Sequence, residues 1–184
     1  MKYIVLLLFV LSLGTAYGQQ LHMIEMSTNN AALGNLSYNE SGRGSSDSYS
    51  SSFYFAGNYA YTIAPRVQLG MRGNYSKFNS SSSDSEAYGV SVGAIYNFDD
   101  KLTEAFYASV YAGFDWYNYY GTGNSRTESK MGMISLGKRF HLGNIGMATV
   151  TYSPEISFKR SEQTDYTYHN NNYAIRFLQF SAFF

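Results

Sequence analysis

Apolar residues recur at every second position through most of the chain. Long polar connections alternate with short ones, and residues 174–184, "AIRFLQFSAFF", alternate Phe and Leu with small or polar residues. Together these features predict an all-β fold, specifically an eight-stranded antiparallel up-and-down transmembrane β-barrel.

The elements follow in chain order. "MKYIVLLLFVLSLGTAYG" has Lys2, an 11-residue apolar run from Tyr3 to Leu13, and small residues before Gly18. This reads as a signal peptide over residues 1–18, because a spanning helix needs about 20 apolar residues. The remaining 19–184 form one barrel domain of 166 residues with 12 basic and 13 acidic side chains, a balance that gives no reason to expect nucleic acid as a partner. Cysteine is absent, which excludes disulfides and thiolate zinc sites. The chain has 19 Tyr and 13 Phe against two Pro, a bias towards strands.

A first strand is expected near Ala31 to Asn39, then "SFYFAGNYAYTI", "RVQLGMRGNYS" and "EAYGVSVGAIYNF". "AFYASVYAGFDW", "KMGMISLGKRFHL", "MATVTYSPEISF" and "YAIRFLQFSAFF" complete eight. In the fourth, Tyr88, Val90, Val92, Ala94, Tyr96 and Phe98 share one face, while Gly89, Ser91, Gly93 and Asn97 lie on the other. In the fifth, Phe106, Ala108, Val110, Ala112, Phe114 and Trp116 oppose Tyr107, Ser109, Tyr111, Gly113 and Asp115. Connections near 40–50, 79–85, 120–128 and 160–171 are expected to be long, and those at "APR", "DDKLT" and "LGN" short. Tight turns on one side and loops on the other are how an outer-membrane barrel is built.

The second face carries Arg72, Asp115, Arg139 and Glu155, flanked by Gly, Ser, Thr and Asn. If this face met water, the protein would be a lipocalin-like barrel with an apolar interior. If it points inward, the four charges must pair, since isolated buried charges are very costly. Aromatic residues near the ends of the apolar face, Tyr88, Phe98, Phe106 and Trp116, favour the second arrangement as an interfacial girdle. Eight strands leave an interior that side chains just fill, so the four charges, with Gln68, Tyr107 and Tyr111, are expected to form a polar plug.

The spacing of Leu178, Phe180, Ala182 and Phe184 resembles the C-terminal signature of outer-membrane β-barrels, and the whole region after residue 18 resembles the small eight-stranded OmpX-like and OmpA-transmembrane-domain-like families. The resemblance implies a bacterial outer-membrane location with both termini periplasmic. It implies contact with outer-membrane lipid and lipopolysaccharide, and handling by the barrel-assembly machinery during biogenesis. Leu178, Phe180 and Phe184 are then lipid-facing. No cofactor is expected.

Several residues test this register. Pro154 falls within a strand and predicts a bulge or an end of pairing. Lys138 is placed to snorkel towards an interface. Strict alternation puts Arg176 on the lipid side; a bulge would instead turn it inward and leave Tyr173, Ile175 and Phe177 outside. Gly57, Gly73 and Gly132 face outward, where neighbouring barrels could approach. The three His (His22, His141 and His169) make thin material for catalysis; His169 lies near Glu162 and Asp165, and "RFHLGN" offers no Ser beside His141. "SDSYSSSFYF", "YNYYGTG" and "TDYTYHNNNY" interleave Tyr with Ser, Asn and Gly, which suits either adaptable loop contacts or strands rising above the bilayer. The expected role is non-enzymatic, structural or adhesion-like, through the outer loops and a surface partner or homo-oligomer. The alternatives are a narrow ion or small-solute pore and a lipid A modifying enzyme.

Overall fold

A computed structural model describes residues 22–27, 35–41, 48–80, 83–121, 123–163 and 168–184. The expected signal peptide lies outside the described residues, as do parts of the expected outer connections, Asp165 among them. The described residues are all-β and contain no helix. The strands are β1 (His22–Ser27), β2 (Asn35–Ser41), β3 (Ser48–Ala64), β4 (Val67–Ser80), β5 (Asp84–Asn97) and β6 (Phe106–Tyr120), followed by β7 (Ser125–Lys138), β8 (Phe140–Ile145), β9 (Ala148–Tyr152), β10 (Glu155–Gln163), β11 (Tyr168–Arg176) and β12 (Gln179–Phe183).

All pairings are antiparallel, and the chain runs up and down through one sheet in the order β11-β10-β7-β6-β5-β4-β3-β1-β12-β9-β8, with β2 on β3. Twelve segments thus stand where the sequence predicts eight closed strands, and the path has ends at β11 and β8. The reason is a set of breaks within single runs. β7 and β8 part at Arg139, β9 and β10 at Ser153–Pro154, and β11 and β12 at Phe177–Leu178. The first expected strand, Ala31 to Asn39, is replaced by β1 and β2, which both pair with β3. Glu25 in mid-strand had hidden β1 as a pattern.

The expected break at Pro154 is present, because proline has no N–H to give to a ladder. Backbone groups at the breaks still find partners: Ser153 N–H donates to Gln179 O at 2.9 Å, Arg139 N–H to Ala105 O at 3.0 Å, and Lys138 N–H to Pro154 O at 3.3 Å. Only the break at Phe177–Leu178 changes parity. Arg176 lies inside and Tyr173, Ile175 and Phe177 outside, so strict alternation fails there and Arg176 is corrected inward.

The connections also differ from expectation. Strand structure continues through much of 48–50, 79–85, 120–128 and 160–171, where long loops were expected. Backbone pairing continues there through partners such as Ser50↔Ser80 and Asn79↔Asp84, so a polar sequence extends the ladder. At the opposite end Pro65-Arg66 and Gly146-Met147 form two-residue turns, while residues 98–105 make a longer connection. Gly146 has φ +60°, as the first central residue of a II′ hairpin requires. The turn expected at Leu142–Asn144 therefore falls at Gly146–Met147 instead, and β8 runs through "LGN".

The inner and outer faces have opposite polarity. Gln68, Asn97, Thr151 and Gln179 are 0% exposed, whereas Met71 is 58% and Val92 65% exposed. Among the described side chains the apolar sets of the alternating strands point out, and the inward sets are mostly polar, with Met23, Ile95, Met133 and Phe183 among them.

Candidate functional site

The inward side chains stack in layers. Nearest the short turns lies Arg139, 1% exposed and aimed from the β7–β8 break. Its guanidinium donates to Asn97 Oδ1, to Leu102 O at 3.0 Å and to Gln68 Oε1 at 3.4 Å. Tyr107 and Phe183 cover it with ring centroids 4.4 and 5.1 Å from Cζ. Among the described residues no carboxylate comes within salt-bridge distance of it. Amide oxygens, a carbonyl and ring faces take that part, and cation–π contact strengthens as water is excluded.

The next layer is centred on Glu155, also 1% exposed. Its carboxylate accepts from Arg72 at 3.2 Å, Arg176 at 3.1 Å and Tyr107 Oη at 3.0 Å. Arg72 also lies 3.9 Å from Glu25 and 4.2 Å above the Tyr111 ring. Glu25 accepts from Ser181 at 3.1 Å and Asn58 at 3.4 Å, and Tyr111 Oη donates to Asn58 Oδ1 at 3.2 Å. A buried charge of this kind is tolerable only because every carboxylate has several donors.

Glycine makes room for the rings. A Cβ on Gly93 would lie 2.0 Å from Val110 O and 2.7 Å from the Tyr111 ring, and one on Gly70 2.4 Å from Tyr111 Oη. Tyr111 therefore lies flat over two neighbouring strands, and Tyr107 lies over Gly137 of the adjacent strand.

Asp115 forms a third, higher pair with Lys159. Above the Arg72–Glu155–Arg176 layer is a cavity of about 350 Å³ lined by Arg72, Asp115, Lys159, Arg176 and a set of Ser and Asn side chains.

The structure thus brings Arg72 and Glu155 together but places Asp115 against Lys159 and leaves Arg139 to neutral partners. Sequence reading missed Glu25 and Lys159. Lys159 was within reach, because the alternation Glu155, Ser157, Lys159 continues the inward face by one more step. Glu25 was not, since Met23 and Met26 make both faces of β1 apolar.

Outside, Tyr88 stacks on Trp116 with centroids 5.3 Å apart, and Phe114 lies 6.1 Å from Trp116. Phe98 and Phe106 lie at the other end, joined by the Phe98 N–H to Phe106 O bond of 2.9 Å. Lys138 Nζ sits 4.4 Å over the Phe106 ring and donates to Glu104 O beside the turn. Phe184 is exposed, Leu178 and Phe180 are half-buried, and Gln179, Ser181 and Phe183 between them are buried. Gly57 and Gly73 are register partners, and nothing lies within 4 Å of a Cβ on Gly132. His22 belongs to β1, bonds Tyr59 Oη at 2.8 Å and stacks on Phe184; His141 and His169 are exposed. No group of three His, Asp or Glu among the described residues could hold a metal ion.

The chain matches no family model, no curated protein and no solved structure.

Proposed function

We propose that the chain is a non-enzymatic integral outer-membrane protein whose twelve segments make up eight strands of one closed barrel, and that it acts at the cell surface through the end opposite its short turns. The carrying observation is the inverted polarity: buried charged, amide and hydroxyl side chains, packed with Met23, Ile95, Tyr107, Tyr111, Met133 and Phe183, line the inside while an apolar belt covers the outside. A soluble barrel has no use for that arrangement, whereas lipid requires it.

Closure is supported by the β1·β12 ladder, in which Met23 pairs with Phe183. Passing from Met23 through Ala60, Gly70, Gly93, Tyr111, Met133 and Lys159 leads to Asn172, eleven residues before Phe183 on the same run. An offset of that kind is the stagger of tilted strands in a ring. β3 is 17 residues long, while about 9–11 cross a membrane. The excess continues the β3 ladder beyond the belt in a stretch rich in Ser, where lipopolysaccharide or a surface partner is met. The two filled layers argue against a pore.

The test is to produce residues 19–184 and fold them in detergent, following the shift in electrophoretic mobility on heating. Folding only with detergent or lipid, surface protease access confined to the long-connection end, and a silent planar bilayer are expected. A monodisperse folded protein in detergent-free buffer would overturn the membrane reading, and discrete conductance steps would favour the pore.

A further inference from the structure

We infer that the upper lumen is a blind pocket for a neutral pyranose, the exposed end of an uncharged glycan. The charges around the cavity cancel: Arg72, Lys159 and Arg176 stand against Glu25, Asp115 and Glu155, and each cation is ion-paired with one of those carboxylates. An ion entering the cavity meets no excess of opposite charge, so it would lose hydration without gaining a partner. A neutral ligand carries no such cost. The cavity of about 350 Å³ lies at the lower end of the size range of small-molecule pockets, about 300–1,000 Å³, which suits one sugar ring.

The wall offers what a pyranose needs: ring faces for its apolar C–H side and accessible uncharged groups for its hydroxyls. Tyr54, Ser76, Ala87 and Tyr117 are successive register partners across β3, β4, β5 and β6. All four line the cavity, so two tyrosines flank a shelf of two small side chains. Tyr117 belongs to the inward set yet keeps 44% of its surface exposed, which leaves its broad apolar face open to a ligand. On the facing wall Ser161 and Asn170 are register partners, and Asn172 is partner to Lys159. Asn170 and Asn172 are exposed and Ser161 is half-buried, and none of these three side chains hydrogen-bonds another described residue. A side-chain amide both donates and accepts, as neighbouring sugar hydroxyls do. The Asp115–Lys159 pair joins the two walls, and the Glu155 layer closes the bottom, so a ligand enters from the end opposite the short turns. The inference deepens the surface role and rests on that reading for the source of the glycan; binding itself needs only the folded lumen.

The experiment is isothermal titration of the 19–184 chain, folded in a detergent without a sugar headgroup, with the methyl glycosides of glucose, galactose and mannose. Saturable binding of at least one is expected, with none of sorbitol, which has the hydroxyls but no ring face. The 6-phosphate and 2-amino derivatives of the sugar that binds best should bind about tenfold more weakly, because neither charge finds a spare partner. Tyr117→Ser should weaken binding about tenfold, the size of one ring contact. Ala87→Leu, which fills the shelf, should abolish it; if that variant does not fold, Ser161→Leu narrows the cavity from the facing wall. Absence of saturable binding up to about 50 mM, where millimolar affinity would show, would overturn the proposal. So would equal affinity for sorbitol, or binding undiminished in Tyr117→Ser or in a folded, filled variant. Tighter binding of a charged derivative than of its neutral parent would overturn the ligand class. A chain that needs detergent to fold yet binds no sugar loses this inference alone, and a water-soluble chain that binds sugar loses the membrane reading alone.

Discussion

The two walls of the molecule are built differently. β4, β5 and β6 run 14, 14 and 15 residues without a break, and their inner face is rich in glycine. β7 to β12 break at Arg139, at Ser153–Pro154 and at Phe177–Leu178, and a charged residue lies in or beside each break: Arg139, Glu155 and Arg176. The continuous wall also contributes Arg72 and Asp115, but each is neutralised from the other side, by Glu155 and Lys159. The ion pairs therefore span the lumen and tie a regular wall to an irregular one. Regular pairing suffices where glycine and tyrosine fill space; the ladder yields where a charge cluster must be assembled.

Breaking that tie should give the largest effect. Glu155→Gln leaves Arg72 and Arg176 without their shared carboxylate, and a loss of about 3–5 kcal/mol is expected in urea unfolding from micelles. An unfolding midpoint equal to that of the parent chain would show that the two walls do not depend on the pair.

A smaller loss tests the continuous wall alone. Gly93→Ala puts a methyl against Val110 O and the Tyr111 ring and should cost about 1–3 kcal/mol. Gly132→Ala, with nothing within 4 Å, should change stability by less than about 0.5 kcal/mol. Equal costs at the two positions would remove the role given to glycine as a bed for Tyr111.

The smallest effect lies outside both walls. Arg66, held at φ 68°, hydrogen-bonds Asp100 at 2.7 Å and holds its carboxyl below the ordinary aspartate range. A depressed value stabilises the fold above the unfolded-chain value and ceases to do so as pH falls through the folded one. A slight loss of stability below about pH 4 is therefore expected, flattened in Asp100→Asn. Both groups are exposed, so the change should be small beside the other two.

The faces of β4, β5 and β6 were legible because alternation there is unbroken from Val67 to Trp116 apart from the turns. Pro154 was legible as a break because the missing N–H is written in the residue itself. Arg139 was not, since Lys138, Arg139 and Phe140 keep their alternation while the ladder parts. The sequence admits two registers at Arg176, because Phe177 and Leu178 do not say that two adjacent apolar residues are both turned away from the interior. The pairing of charges was the least legible part. Four charges of balanced sign suggest one cluster, but partners are chosen across the lumen: Lys159 takes Asp115, Arg176 shares Glu155 with Arg72, and Glu25 approaches Arg72.

The β1·β12 ladder carries a consequence in time. Most other ladders join runs that follow each other along the chain, while this one brings Met23 to Phe183. Contacts so distant in sequence form slowly, and until they do β1 and β12 each present an unpaired edge beside exposed Ile24 and Met26. Five residue pairs therefore cover both of those edges, and amide exchange should begin at that line before anywhere else in the sheet.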